Sequence, residues 1–436
     1  MLKFLPVPKE INCHVLPKEK NRYIIQTEIA KFRGNLKMKI LVVNCGSSSL
    51  KYQLIDIEND EVLASGKCDR IGMEGMEMPF VEYKRNGEKH VKEVDLPNHT
   101  VAFEQVLAFL TDGKIGAIKD ISEIDAVGHR IANGGPSFKG SVLITSETLE
   151  EFKKCIEYAP LHNPAHLQGI NACMNLMPNI PQVFVFDTSF HRTIPDKAAI
   201  YAIPYEYYEK YAIKRYGAHG ISHQYISKAA ANVLGKKPEE INIISCHLGN
   251  GSSIAAIEKG KSVDTSMGLT PLEGLIMGTR SGDLDPAVLQ FIMKKENLDI
   301  DEMLTILNKK SGMLGVSGTT GDMRDLKALR DKGDKRAALA LDMFSYRVRK
   351  YIGAYMAVLG HVDAIIFEGG IGEHNLDAVA KAVEGLEDFG IKLDRTNLAD
   401  ECYEGIISTK DSKIPMYVIP TNEELEIAKE VMQVLK

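Results

Sequence analysis

Two well-separated stretches of the chain carry the same pattern of apolar and polar positions. In Met38 to Asp56, MKILVVNCGSSSLKYQLID, the apolar runs Ile40 to Val43 and Leu50 to Ile55 flank Asn44, Cys45, Gly46 and three serines. The pattern predicts a strand, a tight polar turn and a second strand. Residues 241 to 257, INIISCHLGNGSSIAAI, repeat that order around His247 to Ser253. Such a repeat predicts an internal duplication: two domains that each open with a hairpin and set their turns face to face across a cleft.

The remaining periodicity fills in an α/β chain. Strands continue from Val62 to Glu88 as an open meander, Val101 to Leu110 reads as a helix, and Ile124 to Arg130 as a buried strand running into Asn133-Gly134-Gly135-Pro136. Glu147 to Tyr158 is a further helix, and Asn163-Pro164 caps the next. Gln182 to Asp187 is an apolar strand ending in an acid. Gly260-Lys261-Ser262 is a turn and not a phosphate-binding loop, since Ala255 stands where such a loop needs its first glycine. A long irregular run covers 265–285, and runs of this kind are usually functional; Asp285-Pro286 then starts a helix. Gly315 to Arg324 reads as a Gly-rich loop, and Asp363 to His374 as a strand entering a Gly-Gly-Ile-Gly turn. Near the end, Met416 to Pro420 is a strand and Thr421 to Glu424 a capping box, which leaves Glu423 as the freer carboxylate.

Composition narrows the class. A chain of 436 residues has room for two or three domains, and 44% hydrophobic with 26% charged residues is ordinary for a soluble globular protein. The formal net charge of −6 argues against nucleic acid or an anionic membrane as the main partner, and no apolar run is long enough to span a bilayer. Seven scattered cysteines, with no C-x-x-C spacing, suggest neither a disulfide framework nor a zinc site, and the expected compartment is a reducing cytoplasm. Residues 1 to 37, lysine-rich with prolines at 6, 8 and 17, read as a poorly ordered leader from an early start codon, with a targeting or partner-binding arm as the alternative.

Candidate chemistry gathers at the turns. Gly46, the hydroxyls of Ser47 to Ser49 and the Lys51 ammonium suit phosphate oxygens, although a plain hairpin turn is the other reading. Arg130, at the C-terminal end of a strand, stands where open α/β sheets bind ligands; it serves a carboxylate or phosphate, or is tied into an ion pair. Asp187 holds a metal, orients a group, or fills a turn. Arg280 sits among small residues of the long irregular run.

The motifs VVNCGSSSLKYQL, APLHNP, FDTSFH, HLGNGSS, DTSMGLTPLEGLIMGTRSGDLDP, MLGVSG, GGIGE and PTNEEL, in this order, resemble the acetate kinase family over essentially all of residues 38 to 436. The resemblance implies an α/β fold of two duplicated ribonuclease-H-like domains, the actin-like ATPase fold, around a central cleft. It implies domains over 38–187 and 188–424, with a C-terminal helix over 425–436 packing back on the first, and a homodimer. The implied reaction is Mg²⁺-dependent (or Mn²⁺-dependent) transfer from ATP to a short carboxylate, giving ADP and an acyl phosphate. Position by position, it implies Arg130, Asp187, His219 and Arg280 as catalytic residues. Ala132, Leu161, Ala218 and Pro271 would line the carboxylate pocket with Arg130. Lys51, His247, Leu248, Gly249, Asn250, Gly251, Asp322, Met323, Arg324, Gly370, Ile371 and Gly372 would bind nucleotide. Asn44 and Glu423 would hold the metal, and His162 would face the cleft.

Four departures from the family pattern stand out. Ala132 and Ala218 replace a valine and a phenylalanine, which predicts a wider pocket and use of propionate or butyrate. Asn133 stands for a histidine, and His374 replaces the asparagine after Gly-Ile-Gly-Glu, which opens the phosphoryl donor to question. The same fold also serves chaperone and filament ATPases, which phosphorylate no small acceptor.

Overall fold

The computed structural model describes residues 38–73, 75, 77–396 and 404–436; the leader expected over residues 1 to 37 lies outside them. The first repeat folds as β1 (Lys39–Cys45) and β2 (Ser49–Asp56), antiparallel, with Asn44 opposite Lys51. β1 is apolar on both faces because it is central, and Ile40 to Val43 are at most 1% exposed. The meander continues outwards through β3 (Glu61–Asp69), β4 (Phe80–Arg85) and β5 (Glu88–Glu93). The last of these is an edge, and its exposed Glu and Lys side chains discourage pairing with another chain. On the other side of β1, β6 (Ala126–Ile131) and β8 (Gln182–Phe186) run parallel to it, and β7 (Val142–Leu143) pairs antiparallel with β8.

The second sheet holds β9 (Asn242–Leu248), β10 (Ser252–Glu258), β11 (Lys261–Thr265), β12 (Ala364–Glu368), β13 (Gly405–Ile406) and β14 (Met416–Val418). Both sheets share one five-strand centre: β3-β2-β1-β6-β8 in the first and β11-β10-β9-β12-β14 in the second. Each has three antiparallel strands followed by two parallel ones. The duplication expected from the hairpins is therefore present, in two mixed α/β sheets of the actin-like type.

Helices cover both faces of each sheet. On the first, α1 (His99–Leu110) and α2 (Asn163–Leu176) bury Phe103, Val106 and Cys173 against Leu41, Val43 and Tyr83. On the second, α3 (Gly220–Val233) packs Ile226 and Ala230 on Ile243 and Ile366, while α4 (Lys335–Leu359) packs Phe344 and Val348 on the opposite face. A short helix, α5 (Gly369–His374), follows β12. The final helix, α6 (Glu423–Leu435), returns to the first sheet, where Ile427, Ala428 and Val431 bury against Ile40, Val42 and Val185. Gly128 permits this seat, since a Cβ there would stand 2.7 Å from Val431 and 2.8 Å from Ile427. α3 also sends Ile221 into the α6 cluster, so it joins the two sheets.

Several local expectations need correction. The residues 147–158 form a helix over Ser146–Lys154 and then a 3₁₀ turn over Cys155–Tyr158. Asn163 caps nothing; fully buried, it donates its amide to Asn133 O at 2.9 Å and Cys155 O at 2.8 Å. The expected capping box is absent, because Asn422 Oδ1 accepts from Leu425 N while the Thr421 hydroxyl turns to Ser222. Glu424 is thus free of the capping role assigned to it. The Gly-Gly-Ile-Gly turn is the first turn of α5, and the Gly315 to Arg324 loop divides between helices Gly312–Ser317 and Met323–Asp331. Among the described residues, no helix is long and apolar enough to cross a membrane.

Candidate active site

The C-terminal ends of the parallel strands of the first sheet converge with the start of α6. Arg130, in β6, donates from Nη2 to Asp187 Oδ2 at 3.0 Å, and its Nε lies 3.4 Å from Glu423 Oε2. One guanidinium thus bridges an acid that follows β8 and an acid on the first turn of α6. Burial pushes the Asp187 carboxyl above its usual range, Arg130 draws it down, and the neighbouring Glu423 raises it again. Burial also opposes charge on Glu423, but Arg130 and His247 overcome it and hold that carboxyl low. The Ser222 hydroxyl donates to Glu423 Oε1 at 2.5 Å, whereas Asp187 Oδ1 is buried without a partner. Two carboxylates against one arginine, with one oxygen unsatisfied, make a site that suits a further cation. Lys51, across the β1–β2 hairpin from Asn44, lies near enough to Glu423 to lower its pKa.

His219 enters from the second unit. Its backbone N–H donates to Asp187 Oδ2 at 2.8 Å, and its own φ of 55° is left-handed. That conformation is uncommon for a residue with a side chain and clusters at functional sites. It makes the sharp entry into α3, and Gly220 allows it, since a Cβ there would fall 2.2 Å from Asp187 O. The His219 ring bonds through Nδ1 to Ser253 Oγ at 2.9 Å and lies 4.2 Å, centroid to centroid, from His247. Burial, then His247, keeps the His219 ring neutral.

Arg280 completes the cleft from the irregular run. It donates to Pro271 O at 3.1 Å and to Met277 Sδ at 3.5 Å, and no carboxylate offsets its burial among the described residues. A Cβ on Gly251 would lie 3.4 Å from Arg280 Nη1 and 3.6 Å from His219 Nε2, so the second hairpin turn faces both. Burial, and then the charges of Arg280 and Arg130, lower the pKa of His162 below its ordinary value. The structure therefore brings together Arg130, Asp187, His219, Arg280, Glu423, His162 and His247, supplied by both hairpin-opened units.

The other predicted positions lie as follows in the fold. Ala218 is buried with Met267 and Met277, both 0% exposed, so methionine side chains take the space its small size would open. Ala132 gives its N–H to His166 Nε2 at 3.3 Å. Leu161 is 66% exposed, and the Pro271 carbonyl accepts from Arg280 Nη1 at 3.1 Å. In the nucleotide set, the Leu248, Met323 and Ile371 side chains belong to the hydrophobic core and leave only backbone for a ligand. Asp322 caps the helix Met323–Asp331 and binds the exposed Arg324. Gly249 is held by Ser252, Gly372 is buried beside Phe367, and Asn250 is exposed on the turn. Gly370 opens onto free space. His374, after the glycines, ends α5.

The sequence reading missed a buried polar network behind the cleft. Glu368, fully buried at the end of β12, contacts Ser245, His223 and His247, and His223 bonds to Ser253. The signal was present in Ser245, Ser253 and Glu368, small or acidic residues inside otherwise apolar strands.

Comparison with known proteins agrees with this geometry. The model of the acetokinase family matches residues 39–429. The acetate kinase of Acetivibrio thermocellus is 53% identical over 400 residues, covering 92% of this chain and 100% of its own, and that of Halothermothrix orenii is 54% identical over 399 residues, with the same coverage of both chains. Among solved structures, Porphyromonas gingivalis acetate kinase superposes with a TM-score of 0.87 at 46% identity, over 92% of this chain and 100% of that one. A propionate kinase from Francisella tularensis gives 0.84 at 43%, over 90% and 98%. With the motifs, the duplicated sheets and the shared cleft in agreement, the chain belongs to the acetokinase family.

Proposed function

We propose that the protein transfers the terminal phosphoryl group of ATP to the carboxylate of acetate, giving ADP and acetyl phosphate, and catalyses the reverse reaction. The observation that carries this reading is Arg280, a half-buried guanidinium with no carboxylate partner among the described residues, in a site whose other arginine, Arg130, two acids already hold. A cation left without a counter-ion awaits an anion. An acetate oxygen is ionised at neutral pH and attacks phosphorus without a general base. The protein's tasks are alignment and stabilisation of charge on the equatorial phosphoryl oxygens. Arg130 and Arg280, with the neutral rings of His162 and His219, approach that charge from both sides of the cleft. The two bodies that close on the substrates would be residues 38–187 with the C-terminal helix, and 188–424.

The residues present fit Mg²⁺. A hard divalent ion accepts one or two carboxylates and takes its remaining ligands from phosphate and water. Glu423, with Asn44, would hold it, beside the unsatisfied Asp187 oxygen. When bound, the ion neutralises charge on the nucleotide phosphates. Lys51, Gly251 and Gly370 would meet the nucleotide.

A homodimer in the cytoplasm is the assembly we assign, supported by an exposed apolar face on α4, where Leu339, Met343 and Tyr346 recur at helical spacing. Sedimentation of the purified chain checks it, and a monomer at micromolar concentration would exclude it. The activity is tested by mixing protein, ATP, Mg²⁺ and acetate with hydroxylamine and measuring the hydroxamate formed from an acyl phosphate. Trapped product that requires acetate supports the reading. ATP consumption independent of carboxylate would replace it with a nucleotide-gated ATPase.

A further inference from the structure

Behind the cleft, His247 of the second hairpin and the histidines of α3 and its entry are linked to a carboxylate that the transfer reaction does not use. Glu368 stands opposite His247 in the parallel β9–β12 register. Its Oε1 accepts from the Ser245 hydroxyl at 3.1 Å, and its Oε2 lies 3.4 Å from His247 Nδ1. Neither Oε2 nor His247 Nδ1 makes a hydrogen bond to any described residue, which leaves their 3.4 Å approach as a charge contact between the two groups. The basic side chains within 4 Å of this carboxylate are His223 and His247 alone among the described residues. An ionised carboxylate buried this fully requires a positive partner.

The hydroxyls fix the direction of the remaining hydrogen bonds. Ser245 has one proton; once it is given to Glu368, the oxygen must accept from His223 Nδ1–H, at 2.8 Å. His223 Nε2 is then bare and accepts from the Ser253 hydroxyl at 2.8 Å, and Ser253 in turn accepts from His219 Nδ1–H at 2.9 Å. The run ends with the His219 Nε2 lone pair on the side of Gly251 and Arg280. Reversing the run demands a protonated Glu368, which would remove the partner of His247.

We propose that Glu368 is a positioning residue acting through both cleft histidines: it holds His247 as an imidazolium facing the nucleotide phosphates, and through Ser245, His223 and Ser253 it fixes His219 as the Nδ1–H tautomer whose bare Nε2 is presented beside the Gly251 turn. The proposal rests on the phosphoryl-transfer reading for its purpose but not for its measurement. The groups that face His247 are Glu368 on β12, His219 and His223 on α3, Glu423 on α6 and Asp187 after β8. The three carboxylates favour its charge, and both histidines are neutral in this arrangement.

The test follows the ring nitrogens of ¹⁵N-histidine-labelled full-length protein by NMR, without substrates, across neutral to alkaline pH. One imidazolium is expected in the native protein, and it should vanish in both His247→Gln and Glu368→Gln. In Glu368→Gln, kcat/KM should fall by about a hundredfold, the size of one lost preorganised donor, and the alkaline limb of its pH profile should move to lower pH. Glu368→Asp should recover part of the loss. An imidazolium that survives in Glu368→Gln, or an unmoved pH limb, would overturn the proposal. Should Glu368→Gln not fold, Ser245→Ala cuts only the path to His219; that ring should become a tautomer mixture while His247 stays charged, and an unchanged tautomer would overturn it equally. Absence of acetate-dependent activity in the native protein would sink the functional reading and leave the NMR result standing.

Discussion

The two five-strand centres place opposite charges at equivalent positions. Continuing the β1–β6 register past Val43 and His129 sets Asn44 beside Arg130, and the β9–β12 register sets His247 beside Glu368. In the first sheet the cation sits on the fourth strand and is clamped by acids from other elements. In the second the fourth strand carries the acid, and the arginine of that half, Arg280, comes instead from the irregular run after β11. Duplicated topology thus fixed where functional groups stand, and divergence chose their sign. The consequence is one arginine that is part of the architecture and one that is not.

Substituting the two arginines tests that contrast most strongly. Arg130→Ala leaves Asp187 and Glu423 facing each other unpaired, and stability should drop by about 3–5 kcal/mol as turnover is lost. Arg280→Ala removes a group on which no carboxylate depends among the described residues, so stability should stay within about 1 kcal/mol while kcat falls about 10²–10³-fold. Nucleotide affinity should then change only a few-fold. Urea unfolding, steady-state kinetics and nucleotide titration measure all three, and equal destabilisation by both variants would dissolve the distinction.

Glu423 offers the next test, because it belongs to α6 yet serves the first sheet's arginine. Glu423→Gln keeps the Ser222 contact but removes the charge, and the Mg²⁺ concentration for half-maximal rate should rise about tenfold or more. An unchanged Mg²⁺ dependence would assign the carboxylate to Arg130 alone.

Buried histidines on both sides of the cleft make a smaller prediction. His129, bonded to Gln182, and His191, bonded to Ser262 and Ala218, are each pushed by burial to about 4 from 6.5. With folded pKa values below the unfolded ones, the unfolded chain binds more protons as pH falls from 6.5 toward 4. Stability is unaffected above that window and declines through it, by about 1.4 kcal/mol per pH unit for each histidine. His129→Gln and His191→Gln should each flatten the urea-derived slope by one proton; an unchanged slope would mean that the ring is protonated in the fold.

Much of this was legible because the informative residues were locally conspicuous. Apolar runs broken by Gly and Ser gave both hairpins, and with them the duplication. Arg130 and Asp187 were visible as polar ends of apolar strands. What the pattern missed depends on contacts between distant segments. Nothing local shows that Asn422 and not Thr421 caps α6, or that Ser222 reaches Glu423. The Glu368 network was hidden for the same reason, since its members lie on β9, β10, β12 and α3 and meet only when the sheet forms. Met267 and Met277 lay inside the irregular run, where periodicity assigns no face.

Those methionines decide the smallest effect, the choice of acid. Ala132 and Ala218 predicted a wider pocket, but Met267 and Met277 pack against Ala218, and the similarity to acetate kinases likewise does not favour a larger substrate. Native protein should therefore use acetate at least as well as propionate, judged by kcat/KM. Met267→Ala reopens the space on that side, and each methylene it can bury is worth about 0.8 kcal/mol, or roughly fourfold in the propionate-to-acetate ratio. A native preference for propionate would show that the methionines yield to the substrate. A ratio unmoved in Met267→Ala would transfer control of chain length to the first unit, where Ala132 lies beside Arg130 and its backbone is held by His166.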